Sequence, residues 1–325
     1  MRYSELDSLK GLLIILMVIG HSDCFRETFP YFYKFVYSFH MPVFFLLSGY
    51  FAKPLTESVC GMLKKNAKAY LKPYLYTCIV LLIVVPIYYF CVFRQLYEKE
   101  DELLLRCFYS TEGKWQIGPI WFLWALFWGL SFYRWMANSY RGIKLFYIIV
   151  CLFILIVVSK RFYLPFCIQS GISAIPYIYV GNLLNKNRRE FERLLDNKLC
   201  VCLLFIIWAY TVFCLEVHIS GVVYPHGLTS VFCTSFISAF IICKAKYIDN
   251  RALCYIGKHT LLILCVHQLY KGLSWFVYNP ISSVHISSYN KALLEITYDL
   301  FPVMFISILV ILLKEQLKKT NNLNP

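Results

Sequence analysis

Residues 73–93 read PYLYTCIVLLIVVPIYYFCVF, a run without Asp, Glu, Lys or Arg, closed by Lys72 before it and Arg94 after it. About 20 such residues, rising ~1.5 Å each as a helix, cross a hydrocarbon core of ~30 Å. The run lacks the apolar–polar alternation of an outer-membrane barrel strand, so it reads as a transmembrane helix. Outward from it, further charge-free runs cover 35–52, 115–133, 145–159, 162–185, 199–215 and 217–243, with shorter ones at 11–22, 259–270 and 300–313. Ten such runs predict an all-α, polytopic integral membrane helical bundle of about ten transmembrane helices. Composition agrees: 59% of the 325 residues are hydrophobic and 15% are charged, against roughly 45–50% and 25% in a soluble domain.

The net charge of +14 raises nucleic acid as a partner. The basic residues, however, are spread over many short connections and not over one face or tail, so no nucleic acid is expected. With the amino terminus inside, 22 of the 32 Lys and Arg residues fall in cytoplasmic segments and 10 outside. That bias predicts both termini cytoplasmic in a multi-pass protein of the cell inner (plasma) membrane. The acidic stretch Glu98 to Glu102 then lies in an external loop over 94–114, and the basic segment 186–198 in a cytoplasmic one. We expect a single membrane domain over 1–325, with a polar tail from about 314. Glu5, Asp7 and Lys10 precede the first apolar run and no small-residue cleavage site follows it, so that run is expected to stay as the first span. The fourteen Cys show no CxxC pair or Cys/His spacing suited to zinc, and they read as small buried hydrophobes. No metal is expected.

An ionisable side chain inside a span costs a few kcal/mol by insertion scales, so it usually faces the bundle interior and marks a site. In the first span Lys10 and His21 are eleven residues apart. This equals three turns plus about 20°, so both project from one helix face, ~16 Å apart along the axis. From spacing alone, an interfacial snorkelling Lys with a hydrogen-bonded core His is the favoured reading. The second span opens His40-Met41-Pro42 and continues Phe44-Phe45-Leu46-Leu47-Ser48-Gly49, where Ser48-Gly49 would let another helix approach closely.

Five blocks in order then carry a resemblance. They are Leu6-Asp7-Ser8-Leu9-Lys10-Gly11 with His21; His40-Met41-Pro42 with the Phe44 to Gly49 string; Gly118-Pro119-Ile120-Trp121-Phe122-Leu123; Ile175-Pro176-Tyr177-Ile178-Tyr179-Val180-Gly181; and Ile256-Gly257-Lys258-His259-Thr260 leading to Val266-His267-Gln268. Together they resemble the acyltransferase-3 family of integral membrane acyltransferases, and within it the fucose 4-O-acetylase-like group. The sequence departs from the family at Lys10, where the family more often carries Arg. Lys keeps the charge but lacks the planar fork that grips a phosphate.

The resemblance implies O-acetylation: transfer of an acyl group, usually acetyl from cytoplasmic acetyl-CoA, to a hydroxyl of a cell-surface polysaccharide or lipid-linked glycan. Its partners would be the bilayer, an acyl-CoA and a glycan acceptor. A sugar hydroxyl needs a base near neutral pH, and imidazole is the side chain best matched to that task. His21 is the candidate base, with Asp23 or another polar neighbour to orient it. His40 and His267 reach similar depth and are the further catalytic candidates. Lys10, Ser48 and Trp121 are candidates for holding the acyl-CoA co-substrate, and by depth Ser48, Trp121 or His267 could donate to the tetrahedral intermediate. The Lys64, Lys65 and Lys68 run could attract phosphates or simply be solvated charge. His259 is expected at the interface, and His218, His226 and His285 in external loops. Two other classes stay open: a transporter or flippase of a glycan-related substrate, which matched Pro/Gly-interrupted halves would support, and a metal enzyme using His21, His40 and His267. No such internal symmetry and no HExxH motif is present.

Overall fold

The computed structural model describes residues 3–109, 117–136, 147–214 except 149, 152, 153, 156, 157, 159, 160 and 163, then 217–282 and 287–321. His285, much of the run 145–159 and the side chain of Asp23 lie outside the described residues. Among those described, the secondary structure is helical, with one isolated antiparallel bridge between His218 and Val223.

The first third holds α1 (Ser4–Gly20), α2 (Asp23–Thr28), α3 (Pro30–Tyr37), α4 (His40–Tyr50), α5 (Val59–Phe93) and α6 (Glu100–Phe108). After these come α7 (Trp121–Trp135), α8 (Ile168–Ser173), α9 (Ile175–Lys186), α10 (Arg188–Asp196) and α11 (Lys198–Cys214). The rest are α12 (Leu228–Cys243), α13 (Arg251–Lys258), α14 (Thr260–Ser282) and α15 (Ser288–Asn321).

Among the described residues two helices, α5 and α15, are long and apolar enough to cross a bilayer alone. Two more spans arise if α10 with α11, bent by 88°, and α13 with α14, bent by 72°, each count as one. The bends sit at Asn197, whose backbone is extended, and at His259, which closes α13.

Charge-free runs and helices do not coincide everywhere. Of 217–243, only Leu228–Cys243 is helical. The preceding Ser220-Gly221 and Pro225-His226-Gly227 are turn formers, and Val222 and Gly227 take positive φ of 54° and 56°. The run 162–185 breaks likewise at Pro165, with Phe166 and Cys167 at φ 59° and 49°. The run 35–52 is interrupted at Ser38 and Phe39 between α3 and α4.

The long helices are apolar on the outside and mixed on the inside. On α5, Tyr76, Ile79, Val80, Ile83, Ile87 and Phe90 are exposed, while Tyr74, Cys78, Leu81 and Val85 are buried. On α15, Phe301, Phe305, Leu309 and Leu312 face out, and Glu295, Asp299, Val303 and Ser307 face in. Water would penalise such stripes, whereas lipid tails cover them without cost. This is a membrane-integral all-α protein.

Two close helix contacts organise the interior. A Cβ on Gly11 of α1 would overlap the Leu253 carbonyl of α13, and one on Gly257 of α13 would overlap the Asp7 carbonyl of α1. Similarly, Gly49 of α4 lies on the Ile178 carbonyl of α9, and Gly181 of α9 on the Leu46 carbonyl of α4. Backbones approach this closely only where both helices offer a small residue. Gly49 thus does what its place beside Ser48 suggests.

Candidate active site

A cavity of about 570 Å³ opens between α1, α4, the start of α5 and α7. On α1 its wall is Lys10, Ile14, Met17 and His21, the spacing of one helix face. Both ionisable candidates of the first helix therefore face the same space.

His21 closes α1, and its Nδ1 lies 2.8 Å from the Met17 carbonyl. A carbonyl only accepts, so Nδ1 carries the proton and, in the neutral ring, Nε2 carries the lone pair. His40, first residue of α4, is held the same way, with Nδ1 3.1 Å from the Val36 carbonyl. Tyr37 sits between them, its ring centroid 4.6 Å from that of His40 and 6.4 Å from that of His21. The His267 ring packs edge-on against His21 at 5.5 Å and 74°, fully buried, with neither ring nitrogen hydrogen-bonded. Candidates from three helices thus meet around His21.

The turn after His21 is braced from the far end of the chain. Glu295 of α15 accepts from the Ser22 hydroxyl at 2.5 Å and from the Cys24 amide at 2.7 Å. Sequence reasoning passed over this carboxylate, because Glu295 and Asp299 precede the apolar run 300–313 and look like loop charge. Their spacing of four, one helical turn, was the available signal. Asp299 pairs with Lys271 at 2.9 Å.

The opposite end of the cavity is cationic, lined by Lys10, Lys53, Lys65 and Arg134. Lys10 pairs with the buried carboxylate of Asp7 at 2.6 Å. Glu57 lies 3.1 Å from Arg134 and 3.8 Å from Lys65. Within α5, residues Ala67–Leu71 adopt a π turn, in which hydrogen bonds run i→i+5. Lys65, Asn66 and Tyr70 of this stretch line the cavity.

Between the two ends the wall is apolar, with Phe44, Leu47, Phe122, Leu126 and Leu264. Trp121 and Ser48 line this middle, and the Ser48 hydroxyl donates to the Phe44 carbonyl at 2.8 Å. His218, expected in an external loop, also reaches the cavity. His259 and His226 contact Tyr255 and Tyr210 instead.

Comparison with known proteins follows the same outline. A family model described as an acyltransferase domain matches residues 3–313. The chain belongs to the acyltransferase-3 family. Two curated relatives are the nodulation protein NolL of Sinorhizobium fredii (strain NBRC 101917 / NGR234), 33% identical over 139 residues, and that of Mesorhizobium japonicum (strain LMG 29417 / CECT 9101 / MAFF 303099), 34% identical over 132 residues. Each match covers 37% of this chain and 32% of the relative, so the chain spans about a third of those proteins. No solved structure matches. The five blocks of this acyltransferase-3 chain are brought together in space. The first joins the fifth through Gly11 and Gly257, the second joins the fourth through Gly49 and Gly181, and Gly118 of the third lies against the Gln268 side chain of the fifth.

Proposed function

We propose that the chain is a membrane O-acyltransferase that moves an acetyl group from acetyl-CoA to a hydroxyl of a cell-surface polysaccharide or lipid-linked glycan. The supporting observation is His21 on the cavity wall, its Nδ1 2.8 Å from the Met17 carbonyl, which puts the proton of the neutral ring on Nδ1 and makes Nε2 the basic nitrogen. On this reading the coenzyme A phosphates lie toward Lys10 and Arg134, and the acceptor hydroxyl reaches the His21 end. Its proton passes to Nε2 as its oxygen attacks the thioester carbon. The C–S bond then breaks, and the departing thiolate takes that proton from the imidazolium, giving ester and free coenzyme A. Of the two lining donors, the Trp121 indole N–H is assigned to the oxyanion, since the Ser48 proton is committed to Phe44. His267 keeps the imidazole plane in place, and Tyr37 with His40 borders the acceptor.

The topology belongs to the same proposal: about ten spans, both termini cytoplasmic, in the inner membrane, with donor and acceptor approaching from opposite sides.

The test is acetyl transfer from radiolabelled acetyl-CoA by purified protein in lipid nanodiscs, to glycan acceptors, comparing wild type with His21→Gln. A general base contributes roughly 10²–10⁴-fold. His21→Gln should lose about that much activity with yield and melting temperature near wild type. Activity within tenfold of wild type would move the base elsewhere, with His267 next to test.

A further inference from the structure

The cationic end of the cavity holds one guanidinium whose hydrogen bonding is incomplete. Arg134, in the last turn of α7, is only 9% exposed and borders the cavity. Its Nη2 donates to Glu57 Oε1 at 3.1 Å, while its Nε is buried without a hydrogen-bond partner. Nε and Nη2 form one edge of the guanidinium, the edge that grips two oxygens of a phosphate or carboxylate side by side. Here one carboxylate oxygen fills half of that edge. A buried N–H left unmet costs free energy that a second acceptor oxygen would recover.

The carboxylate itself sits on an irregular segment. Glu57 lies in 52–58, a segment without helix, immediately before Ser58, which caps α5. Its side chain is 31% exposed, and Lys65, its other partner, is 69% exposed and 3.8 Å away. The Lys65 pair is open to solvent and contributes little, so Arg134 is the partner that holds Glu57. Because Glu57 sits outside any helix, it can swing out without unpacking one once another anion meets the guanidinium. The neighbouring Asn66 is tied to Ser131 of α7 at 2.9 Å, which keeps α5 and the Arg134 turn in register.

Resting on the coenzyme A reading above, we propose that Arg134 is the principal phosphate-holding residue of the donor end and that Glu57 is an internal anion occupying it until a donor phosphate displaces it. A phosphate brings more negative charge than a carboxylate and enough oxygens to meet Nε and Nη2 together. Lys53, Lys65 and Lys10 border the same end and add charge, but Lys10 already faces Asp7. Arg134 thereby supplies the planar fork that Lys10 lacks.

The experiment is titration of coenzyme A onto the purified full chain in nanodiscs, as wild type, Glu57→Gln, Arg134→Gln and Arg134→Lys. Removing the competing anion should tighten coenzyme A binding several-fold in Glu57→Gln. Removing the fork should weaken it by roughly tenfold or more, with Arg134→Lys in between. If Glu57 served only to stabilise Arg134, Glu57→Gln would bind coenzyme A no better than wild type, and that result overturns the proposal. So does unchanged binding by Arg134→Gln. Should Arg134→Gln not assemble, Glu57→Gln and Arg134→Lys still decide. A wild-type protein that binds no coenzyme A overturns the donor reading itself, a distinct outcome from normal binding that ignores Glu57.

Discussion

At the scale of single residues, the two ends of the cavity make different demands. Lys10 is both a cavity cation and the ion-pair partner of a buried carboxylate, Asp7. Lys10→Ala should therefore weaken acetyl-CoA binding and also lower the melting temperature, because taking a cation away from a buried carboxylate is costly. Lys10→Arg should retain both properties. A Lys10→Ala protein with normal binding and stability would leave only the snorkelling role. Glu295 acts at one remove, through Ser22 and the Cys24 amide next to His21. We expect Glu295→Ala to reduce kcat about tenfold or more with little change in KM for acetyl-CoA, since sub-ångström misplacement of a base costs rate and not donor affinity. Steady-state kinetics on the purified variant would separate the two parameters, and an equal rise in KM would argue against a positioning role.

At the scale of elements, the architecture rests on helices that touch backbone to backbone. Gly49 and Gly181 leave no room for a methyl group, because each faces a carbonyl of the other helix and not the tip of a flexible side chain. Gly49→Ala or Gly181→Ala should destabilise by about 1–3 kcal/mol or more, as overpacking does. Gly61→Ala is the control: an added Cβ there meets the Ser58 hydroxyl at 3.2 Å and little else. Thermal unfolding in detergent should rank the pair well below the control, and equal melting temperatures would contradict the packing argument. The charge-free runs made these helices legible, but not their ends. Pro165, Pro225 and Gly227 interrupt apolar stretches that hydropathy alone treats as continuous, because hydropathy reports partition into lipid and says nothing of φ and ψ.

At the scale of the whole molecule, the decisive quantity is which side of the bilayer each end of the cavity faces. The excess of Lys and Arg in alternate connections predicts that Lys65, beside Arg134, is cytoplasmic and that Glu100, at the start of α6, is outside. Cysteine substitutions at the two positions, labelled with a membrane-impermeant maleimide in intact cells and in inverted vesicles, should react from opposite sides. Labelling of both from one side would break the topology, and reaction at position 65 from outside would detach the cationic end from the cytoplasmic pool of acyl-CoA.

By itself the sequence determined that the chain is a helical membrane protein, that Lys10 and His21 share one face of the first helix, and which family the five blocks resemble. Those properties are local: apolar runs, a spacing of eleven and short motifs are visible without knowing what lies opposite. Only the tertiary structure decided that His267 stands against His21, that Glu295 braces the turn after His21 from the last helix, and that Arg134 is a cavity residue paired with Glu57. In the sequence Arg134 is one basic residue among 32, and its charge fits membrane topology as well as a site. Which of those roles a charge takes depends on the helices packed around it, and a single helix's periodicity carries no record of its neighbours.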